Sequence, residues 1–172
     1  MPLKIRIFSQ KGNKYFCVIL KFEFRSPIDV VTFAAAYGTW LKRVGNPSNT
    51  IVLGRDARIS GTMVSSLVAN TLIGLGWDVL DIGLSTTPTV ELAVPWTQAA
   101  GGIIITASHN PAQWNALKLL NHLGEFISDA DGKDLLAIAE NQDFSFAEVH
   151  DLGEYKEDHT FLDQHIQHVL GL

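Results

Sequence analysis

Two runs, Ile51-Val52-Leu53 and Ile103-Ile104-Ile105, are apolar at every position. A strand with one wet face alternates apolar and polar residues, so a run without alternation needs cover on both faces. Between and around these runs lie segments with helical spacing. Ser26-Pro27-Ile28-Asp29 opens one, with a capping serine, a proline at the first helical position and an acid in the first turn. It runs to about Arg43 and stops at Gly45-Asn46-Pro47. Ser60 is expected to cap a second helix with Val64, Leu67, Val68, Thr71 and Leu72 on one face, ending near Gly76. Thr87-Pro88 opens a third, to about Trp96; Ser128 caps a fourth, to about Glu140; residues 160–170 read as a fifth. Strands are expected at 50–53, 77–82, 102–106 and 117–120. Strands alternating with helices at this spacing imply βαβ units. The expected fold is α/β, a three-layer α/β/α sandwich on a mainly parallel, mixed sheet.

Bulk properties narrow the function classes. The chain has 172 residues, enough for one domain with a real core. A net charge of -5 argues against nucleic acid as a partner. The single cysteine, Cys17, allows no internal disulfide and no cysteine-based zinc site. The apolar run 15–20 is too short to span a membrane and no small-residue cleavage site follows it. The expectation is therefore a cytoplasmic protein without membrane or nucleic-acid partners.

Composition breaks near residue 26. Residues 1–26 hold six of the 13 Lys/Arg, one acid (Glu23) and four of the nine Phe. Residues 27–172 hold seven basic and 17 acidic residues. The first block, with a strand expected over 15–24, is read as an atypical N-terminal segment, an extra or replaced strand; 27–172 is read as the domain proper.

Ligands of open α/β sheets gather at the carboxyl ends of the strands, and two loops fall there. Gly54-Arg55-Asp56-Ala57-Arg58-Ile59-Ser60-Gly61 places two arginines and an aspartate beside a helix start, where free N–H groups favour anions. Taken alone, it reads first as a helix cap with a surface Arg–Asp pair. Thr106-Ala107-Ser108-His109-Asn110-Pro111 follows the isoleucine run and continues to Lys118. Ser108 would sit exposed at the lip of the sheet, where a hydroxyl can act as a nucleophile or carry phosphate.

The Thr-Ala-Ser-His-Asn-Pro string after an apolar strand closely resembles the phosphoserine loop of the α-D-phosphohexomutases. That family comprises phosphoglucomutases, phosphomannomutases and phosphoglucosamine mutases. The Gly-Arg-Asp-x-Arg-x-Ser-Gly loop and the Asn-x-x-Lys string ending at Lys118 resemble the same family's first domain, over about residues 27–150. The resemblance implies phosphate on Ser108, donated to a hydroxyl of a sugar monophosphate and taken back from the other position of the bisphosphate. It implies Lys118 as a positive or acid–base group and His109 as a helper in proton transfer. Asn110 would shape the loop, and Arg55, Asp56 and Arg58 would form the site edge. It also implies Mg2+ bound to an oxygen of the Ser108 phosphate, its other ligands coming from a further domain. The partners implied are a hexose phosphate and the remaining mutase domains.

Two features depart from the resemblance. The family's first domain opens with a Gly-(Ile/Val)-Arg-Gly loop; Arg6 and Arg25 are the only arginines in residues 1–26, and neither is flanked by glycine. No Asp-x-Asp-x-Asp string occurs; Asp129-Ala130-Asp131-Gly132 comes nearest and reads as the acidic first turn of a helix. The expectation is a phosphoserine-bearing domain, isolated or truncated and inactive alone. A non-catalytic binding or assembly module of the same shape is the alternative. A serine hydrolase built on Ser108 and His109 lacks a Gly-x-Ser-x-Gly elbow and an orienting acid.

Overall fold

A computed structural model describes residues 6–7, 17–21 and 26–171. In chain order the elements are β1 (Arg6–Ile7), β2 (Cys17–Lys21), α1 (Ser26–Val44), β3 (Thr50–Arg55), α2 (Gly61–Gly74), β4 (Asp78–Leu84) and α3 (Thr87–Trp96). Then follow β5 (Gly101–Ile105), β6 (Trp114–Leu120), α4 (Asp129–Asn141), a 3-10 turn (Val149–Asp151), β7 (Tyr155–Glu157) and α5 (Phe161–Leu170). One mixed sheet holds the strands in the order β1-β2-β6-β5-β3-β4-β7. β5, β3, β4 and β7 are parallel neighbours; β6 is antiparallel to β5 and β2, and β1 to β2. Of the strand expected over 15–24, residues 17–21 pair with β6; the rest of that span lies outside the described residues.

The two apolar runs are covered on both faces. Ile51, Leu53, Ile103, Ile105, Leu117 and Leu119 enter the larger core, with Phe33, Tyr37, Val64, Val68 and Leu135 from α1, α2 and α4. Val52, Ile104 and Leu120 turn to the other face and pack with Val90, Ala93 and Val94 of α3 and Phe161 of α5. This is the period of two expected of strands, with a helix layer on each side. β5 is the middle strand of the order, and all five of its residues are buried.

Helix ends follow the residues. Pro27 and Asp29 start α1, Lys42 and Arg43 occupy its last turn, and Gly45 leaves it at φ 79°. Ser128 and Asp131 form a capping box on α4. Ser60 holds the capping position of α2, but its hydroxyl makes no capping bond; it accepts from Asn115 Nδ2 at 3.0 Å instead. The tertiary partner, a fully buried amide, wins over the local one. α3 is capped one residue earlier than its Thr87-Pro88 opening, by Thr86.

β7 was not expected from the sequence. Its residues are exposed, so no apolar pattern announces it. It is held by pairing with β4 and by the Tyr155 hydroxyl, which donates to Asp81 Oδ2 at 2.8 Å. Beyond it, Asp158 Oδ1 accepts from the Thr160 hydroxyl (2.6 Å) and backbone N–H (2.9 Å) at the start of α5. These donors, the hydroxyl first, hold the Asp158 carboxyl below the usual aspartate range. The sign follows: a carboxyl depressed in the folded state contributes stability above its unfolded pKa and loses it as pH falls through the folded value. Acidification below roughly pH 4 is therefore expected to loosen the start of α5. In a carboxyl NMR titration, an Asp158 midpoint at or above that of an unstructured aspartate would contradict this.

Candidate functional site

The carboxyl ends of β3 and β5 lie side by side, since Arg55 pairs with Ile105. The two loops singled out in the sequence leave the sheet there. β5 is buried to its end, and burial continues through Thr106 and Ala107. Residues 108–113 then emerge into solvent before β6 returns at Trp114.

Ser108 sits at this lip with φ 51°, in the left-handed region. For a residue with a Cβ this costs about 1–3 kcal/mol, so surrounding bonds must hold it. Its N–H donates to Thr106 Oγ1 at 3.1 Å, and Thr106 Oγ1 donates to Asp56 Oδ2 at 2.6 Å. Asn110 folds back on the turn: its backbone N–H (3.0 Å) and side-chain amide (2.9 Å) both donate to the Ala107 carbonyl.

Lys118 comes to Ser108 from the middle of β6, where it pairs with Ile104. It shares the α3-facing side of the strand with Leu120, two residues on. Its Nζ donates to Ser108 Oγ at 3.0 Å and stands 5.9 Å from the centre of the Phe126 ring. Glu91 of α3 is half-buried; burial pushes its carboxyl up, and the charge of Lys118 pulls it partly back. A cation therefore lies on the hydroxyl oxygen, with a carboxyl in its field.

The β3–α2 loop meets the serine loop from the other side. Asp56 Oδ2 accepts from Arg58 Nε at 3.2 Å, and Asp56 Oδ1 accepts from the Arg58 backbone N–H at 3.1 Å. The Arg58 guanidinium also reaches the carbonyls of Ser108, Asn110, Pro111 and Trp114. Arg55 contributes one long bond, Nη1 to the Asp56 carbonyl at 3.3 Å, and lies against Gly61 at the start of α2. His109 is exposed on the Ser108 turn; no hydrogen bond or ion pair of its ring occurs among the described residues. Ser108, Lys118, Asn110, Asp56 and Arg58 are thus joined by hydrogen bonds; Arg55 is attached at the edge, and His109 is a neighbour in sequence alone.

Thr106, Asn115 and Glu91 had no assigned part in the sequence reading. Thr106 was visible as the first residue of the hexapeptide. Glu91 carried no signal, because it reaches Lys118 only through the packing of α3 on the sheet.

A magnesium ion fits these residues only in part. An oxygen of a phosphate on Ser108 would be one ligand. Asp56, the carboxylate tied to the loop, is engaged by Arg58 and Thr106. Among the described residues no group of three His, Cys, Asp or Glu side chains is placed to hold a metal ion. These residues do not make a magnesium site by themselves.

Comparison with known proteins agrees with the architecture. The family model described as phosphoglucomutase/phosphomannomutase, alpha/beta/alpha domain I, matches residues 19–146, beginning inside β2. A phosphoglucomutase/phosphomannomutase of Thermococcus kodakarensis is 36% identical over 137 residues, 77% of this chain and 29% of that protein. A phosphomannomutase of Vibrio cholerae is 33% identical over 137 residues, 79% of this chain and 29% of that protein. The crystal structure of a phosphoglucomutase/phosphomannomutase family protein from Burkholderia thailandensis superposes with a TM-score of 0.79 at 22% identity. That match covers 92% of this chain and 35% of the other, and shows a shared fold. The chain spans about 29% of the length of these two curated relatives.

Proposed function

Because this chain belongs to the phosphoglucomutase/phosphomannomutase family, as its α/β/α domain I, we propose that it is the phosphate-carrying part of a hexose phosphate mutase, with Ser108 as the carrier. The observation that carries this reading is Lys118 Nζ donating to Ser108 Oγ at 3.0 Å, on an exposed turn at the carboxyl end of the central strand. Phosphoryl transfer asks mainly for positioning and charge stabilisation, and both are supported by this arrangement.

In the forward half-reaction the bond from phosphorus to Ser108 Oγ breaks, and one from phosphorus to a sugar hydroxyl oxygen forms. Lys118 stabilises the oxygen that leaves phosphorus and supplies the proton that restores the serine hydroxyl. His109 is proposed to take the proton released by the sugar hydroxyl. The return half-reaction reverses these roles at the other position of the sugar bisphosphate. Asn110, Asp56 and Arg58 hold the turn, and Arg55 edges the site beside the start of α2. The substrates proposed are glucose, mannose or glucosamine phosphates, in a cytoplasmic setting, with Mg2+ completed by ligands of a further mutase domain. The composition break at residue 26 supports reading 1–26 as an atypical segment, added or replaced on the 27–172 domain, and the family match begins inside it at residue 19.

Peptide mapping tests the carrier. The chain is exposed for hours to a high concentration of a hexose 1,6-bisphosphate, so that even one slow transfer accumulates. One phosphate on Ser108 is expected, and none in Ser108→Ala. Phosphate only at another residue would reject Ser108 as carrier. An unmodified, folded chain would move the reading to a non-catalytic binding or assembly module.

A further inference from the structure

Arg58 is the most heavily committed side chain of the site. A guanidinium has five N–H donors in a fixed plane. Here Nε donates to Asp56 Oδ2 (3.2 Å), Nη1 to the carbonyls of Pro111 (2.8 Å) and Trp114 (2.9 Å), and Nη2 to those of Ser108 (2.8 Å) and Asn110 (2.8 Å). All five donors are used, and the side chain is only 12% exposed. It therefore has no donor left for a sugar or a phosphate, unlike Arg55, which spends one long bond.

The four carbonyls belong to one loop, between the end of β5 and the first residue of β6. Their oxygens converge on a single cation. Neutral backbone groups offer few ways to close such a ring, because carbonyl oxygens repel one another unless a donor sits between them. The loop also contains the left-handed Ser108, whose conformation needs outside support. Asp56 links the parts: it orients Arg58 through Nε and reaches the Ser108 N–H through Thr106 Oγ1.

We infer that Arg58 is a positioning residue for Ser108: its guanidinium, aimed by Asp56, gathers the carbonyls of residues 108, 110, 111 and 114 and sets the direction of the Ser108 hydroxyl before any ligand arrives. The functional meaning rests on Ser108 being the phosphate carrier; the ordering of the loop does not. A lysine cannot replace it, because one ammonium with three donors cannot span four carbonyls and a carboxylate.

The test uses the 172-residue chain, 15N-labelled, as wild type, Arg58→Met and Arg58→Lys. Amide hydrogen exchange is read at Ser108, Asn110 and Trp114, and at Ile103 and Ile105 in β5 as reference. In both variants the three loop amides are expected to exchange about tenfold faster or more, with the β5 amides unchanged. The Ser108 amide cross-peak should move and broaden or split. Loop protection kept in Arg58→Met would overturn the inference, and protection kept in Arg58→Lys would reduce the requirement to a single charge and overturn the five-donor argument. Equal acceleration in β5 would make Arg58 a support of the whole domain, again overturning it. Should Arg58→Met not fold, Arg58→Lys, which keeps stem and charge, decides alone. Phosphate mapping is scored separately, so an ordered loop that never takes up phosphate rejects the carrier reading and leaves this one standing.

Discussion

Given a hexose 1-phosphate, the matching bisphosphate and magnesium, the 172-residue chain is expected to produce no measurable 6-phosphate over repeated turnovers. The site described here is open: residues 108–113 are all exposed. The depression beside them is lined by Asp56, Ala57, Arg58, Asn110 and Ala112, only one edge of a sugar-sized enclosure. Phosphoryl transfer depends on a closed, preorganised set of charges, and loss of one such group typically costs about 10²–10³ in rate. Of the cations near Ser108, Lys118 reaches the hydroxyl and Arg58 is spent on the backbone. On the proposed mechanism, charge for the bisphosphate and a surface to hold the turning sugar are expected to come from a further domain. The assay follows 6-phosphate formation in wild type and Ser108→Ala. Turnover in the first that vanishes in the second would show that these residues suffice; turnover in both would identify a contaminant.

A second large effect is expected far from the site. Gly101→Ala should destabilise the fold by about 3 kcal/mol or more. An added Cβ would collide with the Tyr37 hydroxyl and come within 2.7 Å of the Leu120 carbonyl oxygen. Tyr37 is fully buried and donates to the carbonyls of Leu120 (2.7 Å) and Gly102 (3.2 Å), tying α1 to β5 and β6. Burial holds its phenol firmly protonated, so it remains a donor across the working pH range. The methyl thus overpacks the strand and strips a buried hydroxyl of its partner. For a chain of this size the loss lowers Tm by roughly 6–12 °C. Thermal and urea unfolding measure it. Tyr37→Phe removes one of the colliding groups, so the double variant should be more stable than the two single losses add up to. A Gly101→Ala loss below about 1 kcal/mol would mean that α1 yields more easily than its packing indicates.

Several parts of the molecule were legible in the residues. Runs such as Ile103-Ile104-Ile105 lack alternation, and burial on both faces is the physical condition that permits this. Pro27, Thr87-Pro88, Ser128 and the glycines after α1 and α2 act within a turn or two of themselves, so local chemistry places most helix ends to within a residue or two. The Thr106–Pro111 string marked the loop that the structure places at the lip of the central strand.

Other parts depended on contacts between distant segments. β7 has no apolar signature, because an exposed edge strand is defined by its neighbour β4 and by the bond from Tyr155 to Asp81. Ser60 reads as a helix cap, yet its hydroxyl serves the buried amide of Asn115, 55 residues away. The resemblance placed Arg58 and Asp56 at the site edge without saying what they touch; only the folded sheet brings the carbonyls of residues 108, 110, 111 and 114 within reach of that guanidinium. Lys118 and Glu91 belong to different elements, and their proximity follows from the packing of α3 over β5 and β3, on the face of the sheet to which Lys118 points. The sequence by itself determined the layers and most helix ends, because those rest on local periodicity and local hydrogen bonds; the serine loop was singled out by its resemblance to a family string. The tertiary structure decided which oxygens each charged group reaches, because that depends on how strands distant in sequence are paired.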